Sequence, residues 1–150
     1  MGLGEYRLRA LTSEDVPQLK GFTCADAGHW AEDIQDVVRT MLPMAGIQSL
    51  SAWKGNDLAA LITWEEKGDT WHSSILAVDR AHRRRGLGEG LKRELLLRAR
   101  RAGVRIVASS IDVDNDPMIR LNEKLGARIE PVKGLFRIVR YKAVIVVNDK

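Results

Sequence analysis

The chain has 150 residues, 45% hydrophobic and 29% charged, a size and balance that can bury one core without metal or disulfides and that exclude a disordered chain. Its one cysteine, Cys24, excludes an internal disulfide, and MGLGEYRLRA does not read as a leader. Net charge is +4, with ten Lys or Arg against Glu89 and Glu94 over residues 80–105, so that this stretch carries +8 and the rest of the chain −4.

No apolar run approaches the roughly 20 residues of a membrane-spanning helix. The expectation is therefore one cytoplasmic domain over residues 1–150 with no membrane partner.

In chain order, EYRLRAL (5–11) alternates apolar and charged residues as a half-buried strand does. TSEDVPQLKGF follows, with Thr12 or Ser13 as cap and Glu14 and Asp15 in the first turn, predicting a short helix that ends near Gly21. HWAEDIQDVVRTML (29–42) sets Trp30, Ile34, Val37 or Val38, and Met41 on one helical face, with Pro43 as the stop. IQSLSAW, DLAALITWEE and TWHSSILAV are β-prone runs divided by KGN and KGD, the pattern of a three-stranded antiparallel meander.

From Gly86 the period changes. Leu87, Leu91, Leu95 and Ala99 form an i, i+4 stripe that predicts a long helix to about Ala102. VRIVASSID (104–112) is a strand, expected to lie parallel to the one before the helix by a right-handed crossover. DPMIRLNEKLGA predicts a second helix stopped by Gly126, and LFRIVRYKAVIVV closes the chain as one or two strands.

The segment VDRAHRRRGLGEGL joins the last meander strand to the long helix. Amides in the first turn of a helix lack internal partners, glycine lets a ligand approach the backbone, and the positive end of the helix dipole lies there. Arg83, Arg84 and Arg85 add charge-assisted bonds of the kind phosphate attracts. The spacing of Gly86, Gly88 and Gly90 departs from the dinucleotide fingerprint, and the triphosphate loop motif is absent. No aromatic residue interleaves the basic stretch, which argues against nucleic acid.

R-x-x-G-x-G at Arg83, Gly86 and Gly88, after the strand end ILAVD, resembles the coenzyme A pyrophosphate loop of the GCN5-related N-acetyltransferases (GNAT). NDPMIRLNEKLGA is similar to that family's segment in which an Asn opens a helix ending in Leu-Gly. The resemblance implies an α+β fold with a mixed six- to seven-stranded sheet, about four helices and a splayed parallel strand pair. It implies acetyl-CoA as cofactor and transfer of an acetyl group to a primary amine of a small molecule or peptide. Residues carried over for the cofactor are Arg83, Arg84, Arg85, Gly86, Leu87, Gly88 and Glu89 at the pyrophosphate, Leu76, Ala77 and Val78 along the pantetheine arm, and Asn115 and Asn122.

Asn122 stands where many members have a Tyr that protonates the departing thiolate, and an amide is no acid at neutral pH. Tyr141 or water would then supply that proton, or the domain binds acyl-CoA without catalysis. Candidate bases for the amine are His72, Glu65 and Glu66, with His72, Ser74 and Leu76 on one strand face. Asp112 and Asp114 could attract a cationic amine. His29 and His82 have no metal-ligand spacing, and the tryptophans Trp30, Trp53, Trp64 and Trp71 read as packing. Exposed terminal strands would permit a homodimer.

Overall fold

The computed structural model describes residues 3–15, 17 and 38–149. Seven strands form in chain order: β1 (Arg7–Arg9), β2 (Ile47–Lys54), β3 (Asp57–Lys67), β4 (Thr70–Val78), β5 (Ile106–Asp112), β6 (Arg128–Lys133) and β7 (Ile138–Val146). After β4 come a 3-10 turn (Arg80–His82) and α1 (Leu87–Arg101), and after β5 comes α2 (Asp116–Lys124). The strands hydrogen-bond in the order β1-β2-β3-β4-β5-β7-β6. With β4 and β5 parallel and the other pairs described here antiparallel, the sheet is mixed and the fold is α+β, as expected.

The chain divides into two compact units, Met1–Glu65 with Ile75–Lys92, and Glu66–Ser74 with Arg93–Lys150. In the first, β3 is buried continuously from Leu58 to Trp64, so LAALITW lacks the alternation of a one-sided strand. Leu11, Val38, Trp53, Leu58, Leu61, Ile75 and Ala77 form one apolar cluster, with Met41 and Leu42 packed against it. The hydroxyl of Ser51 donates to the Arg9 carbonyl at 2.7 Å, and Ser49 accepts from the Leu11 amide at 2.9 Å, which satisfies polar groups that burial would otherwise penalise. After β1, Asp15 accepts from the amide of Thr12 at 2.8 Å and from its hydroxyl at 3.0 Å, closing the expected helix start. Residues 13–15 are a 3-10 turn and residues 38–41, in the helix expected over 29–42, are helical; residues 16 and 18–37, which hold the rest of both expected helices, lie outside the described residues.

In the second unit, β5 pairs with β7 over all seven of its residues, Ile106↔Val146 to Asp112↔Arg140. The run expected to close the chain as one or two strands holds one, β7, and a further strand, β6, forms ahead of it. ARIEPVKG lacks alternation and carries Pro131, yet Arg128–Lys133 pairs with β7, and Leu135 and Phe136 form the turn between them, 89% and 93% exposed. The amide of Gly134 donates to the carbonyl of Arg137 across that turn. Beyond α1, Asn148 donates from Nδ2 to the carbonyls of Arg100, in the last turn of the helix, and of Val104, just after it, at 3.2 and 2.6 Å.

Candidate functional site

β4 runs Thr70–Val78 with Trp71, Ser73, Ile75 and Ala77 buried and His72, Ser74, Leu76 and Val78 on the more open face, the alternation expected of a strand. Its parallel ladder joins Thr70–Ser73 to Ile106–Ser109 and goes no further. The last residues of β4, Leu76, Ala77 and Val78, therefore extend past that ladder, as the splayed pair anticipates.

The chain then turns sharply. The amide of Asp79 donates to Ala59 at 2.8 Å, fixing the strand exit, and the amide of His82 donates to Asp79 at 2.9 Å across the 3-10 turn. Arg83 is extended, and its Nε lies 3.4 Å from the Val78 carbonyl, tying the loop to the strand end. Arg84 has φ 63° and Gly86 has φ 76°. Left-handed residues alternating with ordinary ones swing successive amides toward one concave side, the geometry that binds anions. Glycine accepts this conformation freely, while Arg84 holds it at a cost of about 1–2 kcal/mol.

Leu87 opens α1 and is 2% exposed, anchoring the loop, while Arg84, Arg85 and Gly86 are exposed. The first helical bond runs from the Gly90 amide to the Gly86 carbonyl at 2.9 Å, so the amides of Leu87 and Gly88 have no carbonyl partner within the helix. A side chain at Gly88 would meet only Val78 Cγ2, at 3.6 Å, an ordinary contact. Protein packing does not demand glycine there. The loop thus offers the first-turn amides of Leu87 and Gly88, an open approach and three guanidinium groups on one short path, a fit for a pyrophosphate.

The other sequence candidates occupy distinct settings. His72 is half-buried on β4; Glu65 is half-buried and Glu66 exposed at the end of β3. Asp112 and Asp114 are exposed, and Tyr141 is half-buried on β7 opposite Ile111. Asn115 caps α2, its Oδ1 accepting from the Met118 amide at 3.4 Å, and its Nδ2 has no partner among the described residues. Asn122 is fully buried; its Nδ2 donates to the Met118 carbonyl at 2.9 Å and its Oδ1 has no donor among the described residues. The resemblance gave Asn122 to the cofactor, whereas its side chain here is turned into the protein.

Lys92 also departs from expectation. The sequence puts it on a solvated basic face with Arg93, Arg98, Arg100 and Arg101, which are exposed, yet Lys92 is 2% exposed. On a 3.6-residue helix it lies only about 20° past Ala99, at the margin of the apolar stripe. Burial pulls its ammonium pKa down from 10.5 to about 8. Among the described residues no group of three or more His, Cys, Asp or Glu side chains is placed to hold a metal. No helix among them is long and apolar enough to cross a membrane.

Residues 17–127 match the family model described as Acetyltransferase (GNAT) family. No curated protein matches the chain. Among solved structures it is similar to the ribosomal-protein-S18-alanine N-acetyltransferase from Escherichia coli, with TM-score 0.79 and 17% identity over 97% of this chain and 96% of that one. It is also similar to an acetyltransferase from Thermus thermophilus, with TM-score 0.75 and 19% identity over 97% and 99% of the two chains. The PaiA N-acetyltransferase from Thermoplasma acidophilum, solved in complex with coenzyme A, aligns with TM-score 0.72 and 15% identity over 91% and 97%.

Proposed function

Because the chain belongs to the GNAT acetyltransferase family, we propose that it is an acetyl-CoA-dependent N-acetyltransferase, one domain over residues 1–150 that moves an acetyl group to a primary amine of a small molecule or peptide by direct transfer. The observation that carries this reading is the loop itself: Arg84 and Gly86 left-handed, Gly88 open to a ligand, and α1 starting behind them. Acetyl-CoA, when bound, supplies the activated thioester.

The backbone amides following Arg83, through Glu89, and the guanidinium groups of Arg83, Arg84 and Arg85 would hold the pyrophosphate, as dipole-aligned and charge-assisted donors of the kind phosphate attracts. The backbone of Leu76, Ala77 and Val78 pairs with the pantetheine arm, for which the short β4–β5 ladder leaves their outward groups available. The free Nδ2 of Asn115 donates to the same arm. His72 takes the proton from the attacking amine, with Glu65 as the alternative base. Transfer of the acetyl group to that nitrogen would leave the thiolate of coenzyme A, and Tyr141 or water would supply its proton. Asn122 supports α2 from inside, since its amide is buried and bonded to Met118.

That burial also favours a second reading, an acyl-CoA-binding domain without turnover, because the position carries no acid. Thermal unfolding with acetyl-CoA, with ATP and NAD as controls, tests the shared premise. Ligand at about 100 times its dissociation constant adds roughly 2.7 kcal/mol, a rise of several degrees for a domain of this size. A rise with acetyl-CoA alone is expected, and no rise overturns both readings. Thiol release on screening amines then separates enzyme from binding domain.

A further inference from the structure

The third glycine of RRRGLGEGL, Gly90, is not accounted for by a pyrophosphate. It lies inside α1, where its amide already bonds to Gly86 at 2.9 Å. Glycine in a helix interior is unfavourable against alanine, so something must require it. That something is Leu3. A Cβ at position 90 would come within 2.8 Å of Leu3 Cγ and 3.1 and 3.3 Å of its two methyl carbons. Leu3 therefore packs directly on the helix backbone one turn after the anion loop.

Three residues on, Tyr6 meets the other end of the same loop. Tyr6 is 7% exposed, and its Oη and His82 Nδ1 are joined by a hydrogen bond of 3.1 Å. The two rings meet edge to face, with centroids 5.7 Å apart and planes at 76°. His82 ends the 3-10 turn that delivers the chain to Arg83. Leu3 and Tyr6 are themselves held as a unit, since the Tyr6 amide donates to the Leu3 carbonyl at 3.0 Å.

We infer that this N-terminal turn is a clasp on the cofactor loop, with Leu3, Tyr6, His82 and Gly90 as positioning residues for acetyl-CoA binding. The clasp grips residue 82 before the loop and residue 90 after it, so the seven residues between have both ends fixed. A loop that keeps Arg84 left-handed needs such support, because a strained conformation persists only where its surroundings over-determine it. Fixed ends also spare the loop the entropy of ordering when ligand arrives. The inference rests on the assignment of this loop to the coenzyme A pyrophosphate.

The experiment measures dissociation constants for coenzyme A and for pantetheine, which lacks the pyrophosphate, by calorimetry on the full chain. Unfolding midpoints without ligand are recorded alongside. Tyr6→Phe keeps the ring and removes the hydroxyl, and is expected to weaken coenzyme A roughly five- to tenfold, the worth of one hydrogen bond, while pantetheine affinity stays at the wild-type value. Gly90→Ala gives an opposed pair of outcomes. Helix propensity alone would raise the midpoint and leave coenzyme A binding intact, which would overturn the clasp, whereas displacement of Leu3 weakens coenzyme A. Wild-type affinity in both Tyr6→Phe and Leu3→Ala would also overturn it, as would equal losses for coenzyme A and pantetheine. Failure of the wild-type protein to bind coenzyme A would instead remove the loop assignment itself.

Discussion

Arg9 and Asp15 face each other through two parallel hydrogen bonds, Nη1 to Oδ2 at 2.7 Å and Nη2 to Oδ1 at 2.8 Å. The Arg9 guanidinium also lies 4.3 Å from the Trp53 ring, so one cation links the end of β1, the following helix start and the core. The bond from Arg9, opposed by partial burial and helped by Thr12, brings the Asp15 carboxyl down from 3.8 to about 2. A depressed carboxyl pKa gives stability that is fully present above about pH 3.8 and is lost as pH falls through about 2. Asp15→Asn should lower stability at pH 7 by about 1 kcal/mol and flatten the acid limb of the unfolding profile between those values. An unchanged acid limb would show that the pair contributes nothing.

Lys92 has the opposite signature. Its ammonium deprotonates near pH 8 when folded and near 10.5 when unfolded, so between these values the unfolded chain binds more protons and stability rises with pH. The gain across that window is at most roughly 3.5 kcal/mol, since a tenfold change in proton affinity is worth about 1.4 kcal/mol. Lys92→Met should be more stable than wild type at pH 7, with the advantage shrinking by pH 9.5. Parallel unfolding profiles for the two proteins would count against this account.

At the anion loop, a Cβ at position 88 meets only Val78 Cγ2, at 3.6 Å, an ordinary contact, so Gly88→Val should preserve folding. Affinity for acetyl-CoA should fall about tenfold or more, at least about 1.4 kcal/mol, because the side chain fills the space kept for the ligand. Retained affinity in a folded Gly88→Val protein would move the cofactor elsewhere.

Asn122 offers a test that separates support from ligand binding. Its Oδ1 is a buried acceptor with no donor among the described residues, a condition that costs about 1–3 kcal/mol. Asn122→Ala removes the bond to Met118 and leaves a space inside, and should lower stability by about 1 kcal/mol or more with acetyl-CoA affinity unchanged. A selective loss of affinity would instead return Asn122 to the cofactor.

His72→Gln keeps a polar side chain of similar reach on the open face of β4 but cannot carry a proton at neutral pH. Turnover should drop by roughly 10² or more, with acetyl-CoA binding intact. A wild-type pH–rate profile in this variant would pass the role to Glu65.

Much of this was legible in the residues because it depends on local chemistry. The period change at Gly86 marks the start of α1 to within one residue, and the alternation of TWHSSILAV places His72, Ser74 and Leu76 together. The end of the chain was less legible: Pro131 and the charges of Arg128, Glu130 and Lys133 hide a strand held by its pairing with β7 rather than by its own pattern. Lys92 was misplaced because helical spacing sets angle and not the depth of the neighbouring surface. The contact between Tyr6 and His82 joins residues 76 apart, and nothing local to either marks it. The glycine at 90 was visible as a pattern, but its reason, Leu3, lies at the other end of the sequence.

Among the described residues β6 ends the order of strands, with β7 as its neighbour. Along it, Pro131 has no N–H to offer, a bulge breaks the register between Val132 and Lys133, and Arg128 and Lys133 carry exposed charge. Each of these blunts templating by an open edge. The protein should therefore withstand concentration without seeding fibrils at this border, and any homodimer formed there must be joined through side chains instead of a shared ladder.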